Sequence, residues 1–578
     1  MALQDYRHLD PKVSIDADVC IVGSGPAGWT LADELADSGL RILVLESGGV
    51  AESGGCGGEP EMAVLNTTED VGVPLFNGRC RTLGGTPEMV PWGNRCIAFD
   101  DIDYETRPWV PFSGWPFGSE TLAPYLDRAS RLLGAGAYYP DGPPLPPTLA
   151  AGTKPDVDRE RLRNVWWSFG RGEHGDTIRY AKLFRQRPKD KVRVIVHATV
   201  THLNTNGAGN QIESVEVSYP DGHRTTVNAR AVVLCAGGIE NARILLYSNR
   251  AMPNGIGNAN GLVGRFLMDH PRDLKMTVTF DGKEANKLHA LFGPFLFDGG
   301  DGRRDFVAGL ALSPEIQRRE GLLNCAAWPV MDHVPDDPIL AAQRLKRLDH
   351  SNAAKDLRLI ASHPGLVLRG VHSWAVRKQP ARTKYSKIGF YISSEQRPDP
   401  DSRVTLSGNL DALGLPIART DWRINEQERQ SQAVFAKTIK KEFDRLRLPE
   451  AHLADWVRDG RHEQAVLSDG CHPTGTTRMT SDPRAGVVNA DCQVHGIDGL
   501  FIVGSSVFPT AGHANPTLMI VALASRLAQH LRRRLSNEAG PKLDIEAVTP
   551  TQIDIQSSQT VPSRDLPAFA TRLEESLS

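Results

Sequence analysis

Val19-Cys20-Ile21-Val22-Gly23-Ser24-Gly25-Pro26-Ala27-Gly28 sets a Gly-x-Gly-x-x-Gly turn directly behind an apolar run. A helix-like stretch follows from Trp29 to Asp37, and a second apolar run ends in Glu46. The order is strand, turn, helix, strand, acid. Glycines let the backbone turn tightly and come close to a pyrophosphate at a helix N-terminus, and an acid about 20 residues on can accept both ribose hydroxyls. Gly23, Gly25, Ala27, Gly28 and Glu46 are therefore candidate dinucleotide contacts in an α/β fold. This segment alone does not separate NAD from FAD.

Four further segments suit the same ligand. Val192 to Val196 runs into His197-Ala198-Thr199-Val200, and Ala231 to Cys235 into Ala236-Gly237-Gly238; both are strands ending in small or polar residues, and Val200 and Gly237 could border an adenosine. Arg81-Thr82-Leu83-Gly84-Gly85-Thr86 is a glycine-rich loop suited to close approach to a flat ring, with Arg81, Gly85 and Thr86 as contacts. Gly499 to Val503 reads as a strand delivering Gly504 and Ser505. Singly, each is an ordinary turn. It is their order along the chain that carries the reading. Near the far end, Gly512-His513-Ala514-Asn515-Pro516-Thr517 places an Asn N-cap and a Pro before an apolar-periodic stretch to Leu531, a helix start whose Thr517 N–H is free.

The chain has 578 residues, long enough for two or more domains. A net charge of -3 and a pI near 6.6 give no electrostatic footprint for nucleic acid. Eight cysteines lie scattered without a Cys-x-x-Cys pair, which predicts free thiols, no metal site and a reducing compartment. Met1 to Asp10 has no apolar core, and no window is long enough to span a bilayer, so a cytoplasmic location is expected. Tyr138 to Pro155 is dense in Pro and Gly and reads as a surface excursion. Phe280 to Arg382 loses the glycine-punctuated pattern and carries Arg344, Lys346, Arg347, Lys355, Arg358 and Lys378, the solvated face of a helical insertion over a substrate site.

Taken together, these segments resemble the glucose-methanol-choline (GMC) oxidoreductases over nearly the whole chain. The resemblance rests on the N-terminal fingerprint, the Gly84-Gly85 loop, Ala236 to Ala242, Gly261-Leu262-Val263-Gly264-Arg265 leading to Asp269-His270-Pro271, Asp401 to Leu406, His472 to Met479, and the Asn515 segment. The Arg81 loop, Trp92-Gly93, Gly114-Trp115-Pro116 and the His472 motif look most like the pyranose oxidase and glycoside 3-dehydrogenase branch. The resemblance implies a Rossmann-like FAD-binding domain of discontinuous segments with an inserted α+β substrate-binding domain. The division it suggests is 1–120, 186–275 and 466–535 for the FAD domain, 121–185 for a lid excursion, 276–465 for the substrate domain, and 536–578 for a C-terminal arm.

It also implies oxidation of a secondary hydroxyl of a pyranose or glycoside, C3 before C2, with another alcohol (steroid, choline or aliphatic) or a redox-neutral role such as that of a hydroxynitrile lyase as the alternative, and with oxygen, a quinone or a redox protein as electron acceptor. Such a reaction needs a base for the hydroxyl proton and a flavin N5 for the hydride. His472 occupies the family's base position, and Asn515 matches the second member of the pair, its amide suited to holding the hydroxyl oxygen. His513, on another side of the turn, is expected to flank the site. Gln396 resembles a glutamine that contacts sugar hydroxyls. Met89 stands where fungal pyranose oxidases carry the histidine joined to FAD, so the FAD is expected to be non-covalent.

Overall fold

The computed structural model describes residues 2–10, 14–50, 68–73, 75, 80–89, 95–143, 155–171, 178–186, 191–273, 276–298, 303–334, 336–346, 352–375 and 385–537. The expected arm, apart from its first two residues, lies outside them, as do Trp92-Gly93, Arg347, Lys378, Cys56 and most of the Pro- and Gly-rich excursion.

Burial on both faces produces the first sheet. β1 (Ala2–Asp5), β2 (Ile15–Val22), β3 (Ile42–Leu45), β4 (Val192–Val196), β5 (Thr199–Thr205), β6 (Ile212–Ser218), β7 (Arg224–Leu234) and β8 (Leu500–Ile502) stand in the order β1-β4-β3-β2-β7-β6-β5, with β8 also on β7. β1, β4, β3, β2, β7 and β8 are parallel, and the continuous apolar runs of β2 and β3 are those of strands covered on both sides. β6 and β5 form an antiparallel meander at one edge. That meander pairs only the first half of β7; Val232, Val233 and Leu234 pair instead with Leu500, Phe501 and Ile502. Helix α1 (Pro26–Leu35) crosses from β2 to β3 and packs against α4 (Thr517–Asn537), whose Leu518, Val521, Ala522 and Leu523 are fully buried.

The second sheet is antiparallel, in the order His452–Leu453, Val278–Phe280, Tyr385–Ser394, Cys325–His333, Arg303–Leu312, Leu162–Phe169, Arg95–Cys96. Its side chains alternate with the pleat. Cys325, Ala327, Ile388, Phe390 and Ile392 pack with Phe435, Ala436, Ile439 and Phe443 of α3 (Glu426–Arg445), and Ala326, Trp328 and Tyr391 gather with Trp167 on the opposite face. The expected helical insertion over 280–382 is therefore narrowed to its later part, where Arg344, Lys346, Lys355 and Arg358 lie on helices. Helices occur there at α2 (Pro338–Lys346), Ala353–Ser362 and Pro364–Ala375, but the strands Arg303–Leu312 and Cys325–His333 are central to this sheet. Phe306 to Leu312 is an unbroken run of small and apolar residues, which periodicity alone cannot assign to helix or strand. Cys20, Cys235, Cys325, Cys471 and Cys492 are free thiols.

Candidate active site

The C-terminal ends of β2, β3, β4 and β7 meet where the strand order reverses, and one cavity of about 390 Å³ opens there. Its first wall is made of Val22 to Pro26, Leu45 to Ser47, Ala198 to Val200 and Cys235 to Glu240. Gly23 has φ +102°, and a Cβ on it would lie 2.7 Å from the Cys235 carbonyl oxygen, whereas Gly25 faces open space. A Cβ on Gly28 would lie 1.9 Å from the Gly23 carbonyl oxygen, so this glycine seats α1 on its strand and does not line the cavity. Ala27 and Gly504 also stand outside the lining, whereas Gly85, Thr86, Val200, Gly237, Ser505 and Thr517 line it.

Glu46 ends β3 and is buried. Its carboxylate accepts the Ser24 hydroxyl at 2.6 Å, the Ser24 N–H at 3.1 Å and the Gly48 N–H at 2.8 Å. Burial pushes this carboxyl up, and those bonds oppose the shift. Ser24 Oγ also accepts the Gly84 N–H at 3.0 Å, joining the fingerprint turn to the glycine-rich loop. Arg81 donates to Ser47 Oγ at 3.1 Å and pairs with Glu240 at 2.9 Å. Beside the glycine turn stands a helix N-terminus, and an acid closes the neighbouring strand, so these residues fit FAD.

The other end holds the titratable groups. Met268 and Thr474 exchange backbone hydrogen bonds of 3.0 and 2.8 Å, which sets Asp269 and His270 beside His472. Gly475 N–H donates to Ser505 O at 3.1 Å and Ser505 Oγ to Pro473 O at 2.8 Å, fixing the His472 loop to the Gly504-Ser505 turn. Asp269 accepts the N–H groups of His270, Gly470 and His472 at 2.6, 2.6 and 2.8 Å. Its carboxyl is pushed up to about 7 by burial and by Asp469. Asp269, His270 and His472 bring potential ligand atoms within 4.8 Å of one another, but both Asp269 oxygens are already engaged by those N–H groups.

The His472 ring is held at both nitrogens. Nδ1 lies 2.9 Å from His270 Nδ1, and Nε2 lies 3.4 Å from Asn515 Nδ2. His270 Nε2 faces the Ala511 carbonyl at 3.4 Å, an acceptor only. The hydrogen-bond partners thus assign the His270 proton to Nε2 and make its Nδ1 an acceptor; His472 Nδ1 donates to it, and His472 Nε2 is left with its lone pair toward the cavity. Burial lowers the His472 pKa well below 6.5, with His270, Arg272 and Arg95 adding to the shift, so the imidazole is neutral at neutral pH.

Gln396 is the exception among the expected contacts. It is fully buried, its Oε1 accepts the Asp269 N–H at 2.8 Å and the Trp422 indole at 2.8 Å, and its Nε2 donates to Arg423 O at 2.6 Å. It stands behind the site, holding Asp269, and the expectation of a sugar contact is withdrawn. His513 is also turned away, 3.2 Å from Asp100. The sequence reading assigned no role to Ser24, His270, Arg95, Arg272, Trp328 or Tyr391, although all but Ser24 line the cavity with His472. For His270 the signal was present as Asp269-His270-Pro271; for the strand residues it arises only when the second sheet closes over the first.

Two family models match: "FAD dependent oxidoreductase" over residues 18–248 and "GMC oxidoreductase" over 398–524. Similar proteins include 2-methyl-1,2-propanediol dehydrogenase of Mycolicibacterium austroafricanum, 25% identical over 90% of this chain and 96% of that protein. Paromamine 6'-oxidase of Streptomyces fradiae is 25% identical over 89% and 90%. C-glycoside 3-oxidase of Arthrobacter globiformis is 33% identical over 26% of this chain and 27% of its own. Among solved structures, pyridoxine 4-oxidase from Mesorbium loti superposes with a TM-score of 0.51 at 17% identity, covering 89% of this chain and 99% of that one, a likeness of fold. With the segment of the glycine fingerprint and the segment of His472 and Asn515 each matched, the chain belongs to the GMC oxidoreductases, FAD-dependent enzymes that act on CH–OH groups.

Proposed function

We propose that this enzyme oxidises a secondary ring hydroxyl of a pyranose sugar or glycoside to a keto sugar, at C3 in preference to C2. The observation that carries the reading is His472 Nε2, unprotonated and beside the Asn515 amide, at the end of a cavity walled by Trp328, Tyr391 and Ser393. An aromatic face beside hydrogen-bonding groups suits a pyranose ring, which is apolar on its C–H faces and polar at its rim. The similarity to paromamine 6'-oxidase and to a C-glycoside 3-oxidase supports a sugar substrate.

Gly23, Gly25, Glu46, Arg81, Gly85, Thr86, Val200, Gly237, Ser505 and Thr517 hold FAD. When bound, FAD supplies the acceptor for the hydride that leaves the carbinol carbon. The chain's own part is the proton and the pose. Asn515 holds the substrate hydroxyl oxygen toward His472, and Nε2 takes the hydroxyl proton as the C=O bond forms. The resulting imidazolium keeps its Nδ1–H on His270. With Met89 at the attachment position, FAD is held without a covalent bond, and acid precipitation of the protein releases the yellow colour into the supernatant.

The test is anaerobic mixing of the FAD-loaded enzyme with monosaccharides, glycosides, choline and aliphatic alcohols, following flavin absorbance and locating any carbonyl by NMR. Bleaching by a sugar with the carbonyl at C3 or C2 supports the reading. Bleaching by a small aliphatic diol alone overturns it.

A further inference from the structure

Two arginines stand at the His472 end of the cavity with no carboxylate in contact. Arg95 belongs to the strand Arg95–Cys96 and Arg272 to Arg272–Asp273, both in the second sheet, and both line the cavity with His472, Trp328 and Tyr391. The Arg95 guanidinium lies 4.8 Å from the Trp328 ring centre and that of Arg272 5.3 Å from the Tyr391 ring centre. Among the described residues, neither guanidinium makes an ion pair or a hydrogen bond, and Arg272 Nε is buried without a partner.

Three other arginines meet a carboxylate, whereas the buried Arg478 donates to the Phe112 carbonyl and lies 4.4 Å from the Phe266 ring centre. Arg107 donates to Glu395 through both terminal nitrogens, one of them at 2.8 Å. Arg243 is held by Asp411 at 2.6 Å and Glu240 at 3.2 Å, and Arg163 pairs with Asp100. Arg95 and Arg272 have no such partner, and they oppose each other: Arg95 is pushed down to about 10, by burial first and then by the Arg272 charge. Arg272 is pushed up against its burial by Tyr391, Cys471, Asp469 and Asp269, which act through space and without ion-pair contact. Asp269 spends its oxygens on backbone N–H groups. A guanidinium recessed from water is costly unless an anion meets it, and its planar fork matches a carboxylate or phosphate oxygen pair.

We infer that the substrate carries an oxyanion, a carboxylate or a phosphate ester, bound between Arg95 and Arg272 while a neighbouring hydroxyl faces His472. The inference rests on the sugar-oxidising reading and narrows it to an acidic sugar or glycoside. The FAD pyrophosphate is not the intended anion, because its cradle is the glycine turn at α1 on the first sheet, whereas both arginines sit on the second sheet.

The experiment compares methyl glucoside, methyl glucuronide and methyl glucoside 6-phosphate as reductants of the FAD-loaded enzyme under anaerobic conditions, in parallel with titration of acetate and inorganic phosphate followed by the absorbance of the oxidised flavin. One of the acidic glycosides is expected to surpass the neutral one at least tenfold in the second-order rate of flavin reduction, less so at high salt, and the better of the two tells carboxylate from phosphate. That preference ratio is expected to fall at least tenfold in R95Q and in R272Q and to survive in part in R272K. Saturable binding of acetate or phosphate in the wild type is expected to be lost in both glutamine variants. Should no sugar bleach the flavin while an aliphatic alcohol does, the sugar reading falls, and anion binding that disappears in R95Q and R272Q keeps the oxyanion site. A neutral glycoside at least as effective as both acidic ones, or an acid preference untouched in R95Q and R272Q, overturns the inference, as does the absence of anion binding in the wild type.

Discussion

At His472 the proposed chemistry depends on a proton being absent from one nitrogen. Replacing His472 by Ala should slow anaerobic flavin reduction by about 10²-fold or more while FAD stays bound, and an unchanged rate removes this residue from the mechanism. Because its pKa is lowered well below 6.5, the base is unprotonated across neutral pH. The second-order rate of flavin reduction should therefore be flat through pH 6.5 and fall only as the medium becomes more acid than the lowered value. A profile whose acid limb sits at or above pH 6.5 contradicts that assignment. In the proposed mechanism His270 acts through His472 as a positioning residue: His270→Phe takes away the acceptor at His472 Nδ1 and lets the wrong tautomer compete. A loss of about 10-fold or more in reduction rate is expected, with a changed pH profile and partial rescue by His270→Asn, whose amide oxygen can accept. How far the sequence discloses the site is clear at this scale. Motif and spacing point to His472 and Asn515, which stand together at the cavity, whereas Gln396 turns behind Asp269, because a polar residue beside a motif says nothing of which way its amide turns. Arg95 and Arg272 were not legible at all, since their isolation is a property of the surrounding charges.

Among the elements, the strand, turn and helix at Ile15 to Leu35 were the most legible, because the local rules agree there. A buried strand, a glycine with φ +102°, a Pro opening the helix and an acid at the end of the next strand all point to one arrangement. Gly28 shows how little slack it has. In Gly28→Ala the added methyl meets the Gly23 carbonyl, so the variant is expected to lose about 1–3 kcal/mol and to purify with reduced FAD occupancy. Thermal unfolding and the flavin-to-protein absorbance ratio read this, and full occupancy at wild-type stability rules out close seating of α1. The second sheet was the least legible element. Its central strands are apolar without a polar alternation, because α3 covers one face and the aromatic cluster the other, and burial on both faces erases the period that marks a strand.

Across the whole molecule, the two sheets are joined by buried polar groups. Arg107, in the segment after Tyr104, meets Glu395 at the end of Tyr385–Ser394, both fully buried. Asn324 donates to Glu395 Oε2 at 3.1 Å and through Nδ2 to Asp100 and Asp103 at 2.9 Å each. Asp103 in turn takes the Thr510 hydroxyl on its carbonyl at 2.6 Å, just before the Asn515 loop. Arg107→Met leaves the Glu395 carboxylate buried and unpaired, at a cost of about 3–5 kcal/mol in chemical denaturation. A loss below about 1 kcal/mol would mean that water reaches Glu395, as at an exposed pair. Sequence order and spatial order diverge most at β8, which fills the half of β7 that the β6 meander leaves open. On the ribosome, β2, α1 and β7 emerge long before β8 and the Asn515 loop, so the growing chain carries an incomplete sheet with the upper edge of β7 bare. The cofactor therefore cannot be enclosed early in translation, and chaperones have a defined window in which a sticky strand edge needs cover.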